Sequence, residues 1–187
     1  MTTPRQRLLR VLAGDVPDCV PVAPDFSNMI PARLTGKPFW DLYLYNDPPL
    51  WEAYIECAKH FDIDALMDGY FPLRFNEEAP DGPAWLPYIV YRSDERIVTQ
   101  DAYAQNGRLN WAPTVNVYYR ADPPTYGVIP AKIGLPPVPE KWEPVEGARQ
   151  VDCGPGGLAR VKRLLGDQGL LGVFAATTCV LGSPRRS

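Results

Sequence analysis

Two aspartates stand where α/β enzymes keep working carboxylates. Asp25 lies just past the apolar run Cys19-Val20-Pro21-Val22-Ala23, and Asp68 just past Ile63-Asp64-Ala65-Leu66-Met67. At the carboxyl end of a buried parallel strand, a carboxylate can orient a substrate N–H or accept a proton as general base. Both are therefore read as catalytic candidates, against the plainer reading of an aspartate that caps its own loop in an Asx turn. Asn28 and Tyr70 belong to the same two loops. Arg33 and Arg74 offer planar guanidinium forks that match a substrate carboxylate, so these four are substrate-binding candidates.

The other reactive side chains read as structural. Cys19, Cys57, Cys153 and Cys179 form no C-x-x-C pair, and none stands at a metal-site spacing from His60, the only histidine. In or beside apolar runs they behave as small buried hydrophobes. His60 follows a helix, where it meets the terminal carbonyls. Gly154-Pro155-Gly156-Gly157 opens a helix and could cradle an anion on free N–H groups, but it lacks the Lys-Ser/Thr ending of a phosphate loop. The aromatic residues Trp85, Tyr88, Tyr91, Tyr103, Trp111, Tyr118 and Tyr119 read as the packing of a β insertion.

The elements that position these residues follow from local signals. Thr3-Pro4-Arg5-Gln6 is a capping box with proline at the first helical position, which predicts a helix from Pro4 to Ala13 stopped by Gly14. Asp47-Pro48-Pro49 predicts a second, carboxylate-capped helix with Leu50, Trp51, Tyr54, Ile55 and Ala58 on its apolar face. Leu158, Val161, Leu164 and Leu165 mark a third, stopped by Gly166. The runs at 19–23, 63–67 and 169–176 read as short strands buried on both faces.

Between about 85 and 120 the pattern changes to four β-rich pieces, Tyr88 to Tyr91, Arg96 to Tyr103, Arg108 to Trp111 and Val115 to Tyr119. Asn106-Gly107 is a type I′ hairpin signal, so this stretch is an antiparallel insertion. From about 121 to 150 proline dominates, and the chain reads as an extended connector without a core of its own.

Length and composition bound the rest. The 187 residues carry 22 Pro and 15 Gly, enough to demand long loops. With 19 Lys and Arg against 22 Asp and Glu, the net charge of −3 gives nucleic acid little to bind. No apolar run approaches the roughly 18 residues of a membrane span, and no signal core opens the sequence. It reads as a soluble cytoplasmic chain of one domain.

The stretch Arg5-Gln6-Arg7-Leu8-Leu9-Arg10-Val11-Leu12-Ala13-Gly14, followed by Pro17-Asp18-Cys19-Val20-Pro21-Val22, resembles the opening of the uroporphyrinogen decarboxylase superfamily, especially its methyltransferase-like branch. Thr35-Gly36-Lys37-Pro38-Phe39-Trp40, the Asp47-Pro48 helix and Asp62-Ile63-Asp64-Ala65 resemble the next landmarks of that branch. The likeness covers about the N-terminal half of a family member.

It implies an α/β chain forming the N-terminal portion of a (β/α)8 TIM barrel, interrupted by the antiparallel β-hairpin insertion. It also implies a small-molecule substrate, and either cofactor-free decarboxylation or methyl transfer to a corrinoid through a zinc-bound thiol. Asp68 stands near the aspartate that decarboxylases use. The first loop lacks their Arg-Gln-Ala-Gly-Arg pattern, which favours the methyltransferase-like branch. The zinc ligands of that branch lie in the missing half, so no cofactor or metal is expected within this chain; corrinoid and zinc belong to a complete family member.

Three strands cannot close a barrel of eight, and the last would carry an open edge. The chain is accordingly expected to be incomplete and inactive alone, its edge covered by a missing C-terminal half, an oligomer partner or a corrinoid protein. The alternative is a non-enzymatic α/β binding module that docks a partner through the open edge.

Overall fold

Thr3 starts the first helix as its capping box predicts. Its hydroxyl accepts the Gln6 N–H at 3.2 Å, and the Gln6 side-chain oxygen accepts the Thr3 N–H at 3.1 Å. The computed structural model describes residues 2–25, 27–66, 83–151 and 155–171. Helix α1 spans Pro4–Leu12, with Ala13 as its C-cap and Gly14 in the left-handed region at φ 85°. Two short helices follow, α2 (Met29–Leu34) and α3 (Phe39–Tyr43), then α4 (Leu50–His60).

Asp47 does not cap α4, whose N-cap is Pro49. Two prolines separate Asp47 from the first turn, and its carboxylate is taken instead by Lys37 at 2.7 Å and by Arg149. His60 does end its helix, packed edge-on against Phe61 at 4.8 Å between ring centroids.

Strand β1 (Ala65–Leu66) pairs in parallel with β7 (Leu170–Leu171), the two joined by a long crossover that ends in helix α5 (Pro155–Leu165). Trp51, Tyr54, Ile55 and Ala58 of α4 pack with Ile63, Leu66, Val161 and Leu165 into one core cluster. Removing each such side chain from water contributes on the order of 1.5–3 kcal/mol.

The larger sheet is antiparallel, with strand order β5-β4-β3-β2-β6. It comprises β2 (Leu86–Arg92), β3 (Arg96–Gln105), β4 (Arg108–Tyr119), β5 (Thr125–Val128) and β6 (Glu143–Pro144). Asn106 and Gly107 close the β3–β4 hairpin at φ 52° and 73°, the two positive values a type I′ turn requires. The two pieces expected around Pro113 are one strand, because a bulge opposite Asp101 lets residues 112–114 leave the ladder without ending it.

Side chains alternate across this sheet. Ile97 packs with Ile89, Tyr118 and Leu44 on the helical side, and Val98 packs with Val115, Val117 and Leu135 on the other. That second face is covered by the proline-rich stretch, whose Pro137 carbonyl accepts the buried Gln100 side-chain amide at 2.9 Å. The same stretch also supplies both edge strands, β5 and β6.

Burial pushes the Tyr118 phenol up to about 12, and Tyr126 adds to the shift. Between its ordinary value of 10.0 and about 12, the folded chain holds a proton that the unfolded chain releases. This contribution to stability is therefore complete below pH 10 and is lost as pH rises towards 12. In a 295 nm absorbance titration, Tyr118→Phe should remove one late-titrating phenol; an unchanged curve would count against its burial.

The expected partial TIM barrel is not formed. The chain is mixed α/β, with a five-stranded antiparallel sheet beside one two-stranded parallel pair. The 19–23 run is no strand, and Val20 is 83% exposed where burial on both faces was expected. A β-branched run becomes a buried strand only where layers cover it, and among the described residues nothing covers this one. Residues beyond Leu66 and Leu171 in the other two expected strands lie outside the described set. No described helix is long and apolar enough to cross a membrane.

Candidate functional site

An acid inside an apolar run needs partners for both oxygens, because a lone buried carboxylate is too costly to desolvate. Asp64, 1% exposed, has them. One oxygen accepts from Arg7 Nη1 at 2.5 Å and the other from the Val22 N–H at 2.6 Å. Its backbone N–H donates to the Val22 carbonyl at 2.8 Å, and its carbonyl accepts the Leu170 N–H at 3.1 Å. Arg7 also donates from Nε to Asp18 at 3.0 Å, which holds the Asp18 carboxyl below its usual range. One aspartate thus joins α1, the 22 segment, β1 and β7.

Gly169 makes this approach feasible. A Cβ there would sit 2.7 Å from the Asp64 carbonyl oxygen, inside van der Waals contact with rigid backbone.

Two of the sequence candidates leave this junction on short tethers. Asp25 follows Val22 by three residues and is exposed, and Asn28 follows half-buried at the start of α2 without making a side-chain cap bond. Arg33 is exposed in the last turn of α2. Asp68, Tyr70 and Arg74 lie outside the described residues, Asp68 two positions past β1.

A groove of about 520 Å³ lies elsewhere, between α2, α4 and α5. Pro31, Leu34, Ala53, Ile55 and Leu164 give it an apolar floor. Its charged rim is already matched within the chain: Lys37 to Asp47 at 2.7 Å, Arg160 to Glu52 at 3.0 Å, and Glu56 to Lys59 at 2.8 Å. A groove so neutralised offers apolar contact rather than acid–base chemistry.

Comparison with protein-family models, curated proteins and solved structures finds no match. Zinc–thiolate chemistry does not fit the described donors. Cys57 is buried inside α4 with its thiol pushed up by desolvation, Cys19 is exposed on another segment, and among the described residues no three His, Cys, Asp or Glu side chains gather.

Asp64 itself was missed by reading it as one more residue of a buried strand. Its signal is an acid amid Ile63, Ala65 and Leu66.

Proposed function

We propose that this chain is the N-terminal portion of a cytoplasmic enzyme similar to the uroporphyrinogen decarboxylase superfamily, nearer its methyltransferase-like branch. In this reading it supplies one wall of a small-molecule site and is inactive alone. The observation that carries the reading is the convergence at Asp64. The resemblance places polar site residues after the 22 and 65 segments, and these two segments meet at one buried carboxylate.

Uncovered apolar surface beside that junction supports incompleteness. Leu12 is 72%, Val16 88% and Val20 83% exposed, and α1 buries none of its residues. Such surface usually meets a further layer. Asp25 and Asp68 would then hold or deprotonate the substrate, with Asn28, Arg33, Tyr70 and Arg74 around it.

The reading frame past the Ser187 codon tests the proposal. Further strand-helix units with a His-x-Cys motif are expected there. An immediate stop codon, together with a monodisperse chain that melts cooperatively and does not bind the dye ANS, would overturn it.

A further inference from the structure

Asn106 and Gly107 form the turn between β3 and β4, and both are exposed. An asparagine side chain loses its amide when the main-chain nitrogen of the next residue attacks its Cγ. Glycine in that next position leaves the nitrogen unshielded, having no side chain of its own. Asn106-Gly107 is the one such pair in the sequence.

The fold leaves both reacting groups free. Among the described residues, neither the Asn106 side chain nor the Gly107 N–H enters a hydrogen bond. A Cβ added at Gly107 would meet nothing within 4 Å, so the turn is open to water. Other asparagines are held. Asn46 donates its side-chain amide to the Arg149 carbonyl at 3.0 Å, and the Asn116 side-chain oxygen accepts the Gly127 N–H at 3.2 Å. Asn28 and Asn110 precede Met29 and Trp111, whose bulk screens the nitrogen.

Ring closure also requires the turn to rotate. The pairing of β2 with β3 stops at Leu86 and Ala102, so beyond Ala102 the described ladder consists of β3 and β4 alone. A two-stranded end of this kind frays at low cost.

We propose that Asn106 is a site of spontaneous deamidation, with water as the only co-reactant. The Gly107 nitrogen gives its proton to solvent and bonds to Asn106 Cγ, closing a succinimide ring. The Cγ–Nδ2 bond breaks, and Nδ2 takes a proton from solvent and leaves as ammonia. One water then adds to either ring carbonyl, and the bond from that carbonyl to the Gly107 nitrogen breaks. Opening at Cγ gives aspartate; opening at the main-chain carbonyl gives isoaspartate, with the backbone running through the side-chain carbon. Either product adds one negative charge to a chain of net charge −3. Aspartate keeps the turn, because Asp-Gly suits the same type I′ geometry. Isoaspartate lengthens the backbone by one carbon, which takes Gln105 and Arg108 out of register and opens the hairpin tip. This site is separate from the Asp64 junction and does not depend on the enzyme reading.

The test is incubation of the full chain for several weeks in warm, mildly alkaline buffer, then tryptic digestion and mass spectrometry against an unaged sample. The peptide of residues 97–108 should gain the mass of an amide turned carboxylic acid and divide into two chromatographic peaks. The peptide of residues 109–120, which carries Asn110 and Asn116, should stay unchanged. By amide hydrogen exchange, Arg108 should lose protection in the isoaspartyl chain while Val117 keeps it, and a fresh Asn106→Asp variant should keep both. A 97–108 peptide that stays unmodified, or converts no faster than the 109–120 peptide, overturns the proposal. Isoaspartate that leaves Arg108 protected overturns its effect on the hairpin.

Discussion

Asp64→Ala is expected to cost about 3–5 kcal/mol of folding stability, the penalty for removing one partner of a buried ion pair. The size follows from what is stranded. Arg7, with its side chain 13% exposed, loses one of its two carboxylates, and the Val22 N–H loses its acceptor. Domains of this size are stable by only about 5–15 kcal/mol, so much of the margin goes. Urea unfolding followed by circular dichroism measures it. Asp18→Ala is the control: Asp18 is 43% exposed and leaves Arg7 still bound to Asp64, so its loss should be clearly smaller. Equal losses from the two substitutions would mean that Asp64 acts only as a surface charge.

Gly169→Ala should destabilise by about 1–3 kcal/mol, the range for overpacking. The added methyl would meet the Asp64 carbonyl oxygen at 2.7 Å and its carbon at 3.1 Å. Both are backbone atoms of the residue just before β1, the strand that β7 pairs with, so no side-chain rotation relieves the contact. The strands must separate, weakening the Leu170 N–H bond to Asp64. In an open loop the same change would be neutral or stabilising, because alanine restricts the unfolded chain. Denaturant midpoints of wild type and variant decide the sign.

Signals confined to a few neighbouring residues carried through to the structure. The Thr3 capping box, the Asn106-Gly107 turn and the apolar faces of α4 and α5 depend on spacing along one segment, and each element formed close to its expected bounds. What depends on a distant partner was not readable. The 19–23 run has strand composition, yet burial requires a covering layer that composition does not specify. Proline in residues 121–150 argued for a connector, although a strand needs few N–H groups at a sheet edge, and that is where β5 and β6 sit. The Pro113 break became a bulge because β3 could skip Asp101.

The candidate site was legible in the same uneven way. The Val22 and Asp64 segments meet through hydrogen bonds, but the 19–23 run that leads to Asp25 is no strand and Asp68 lies outside the described residues. The partner of Asp64 lay 57 residues away in sequence, and only the cost of a buried acid hinted at it.

Amide hydrogen exchange at Val22 and Leu170, read residue by residue by NMR in wild type and Asp64→Ala, tests the junction most directly. Both amides should be protected in wild type, and Val22 should lose protection in the variant while the Val98 and Val117 amides of the larger sheet keep theirs. Rapid, unprotected exchange at Val22 in the wild-type chain would contradict the account.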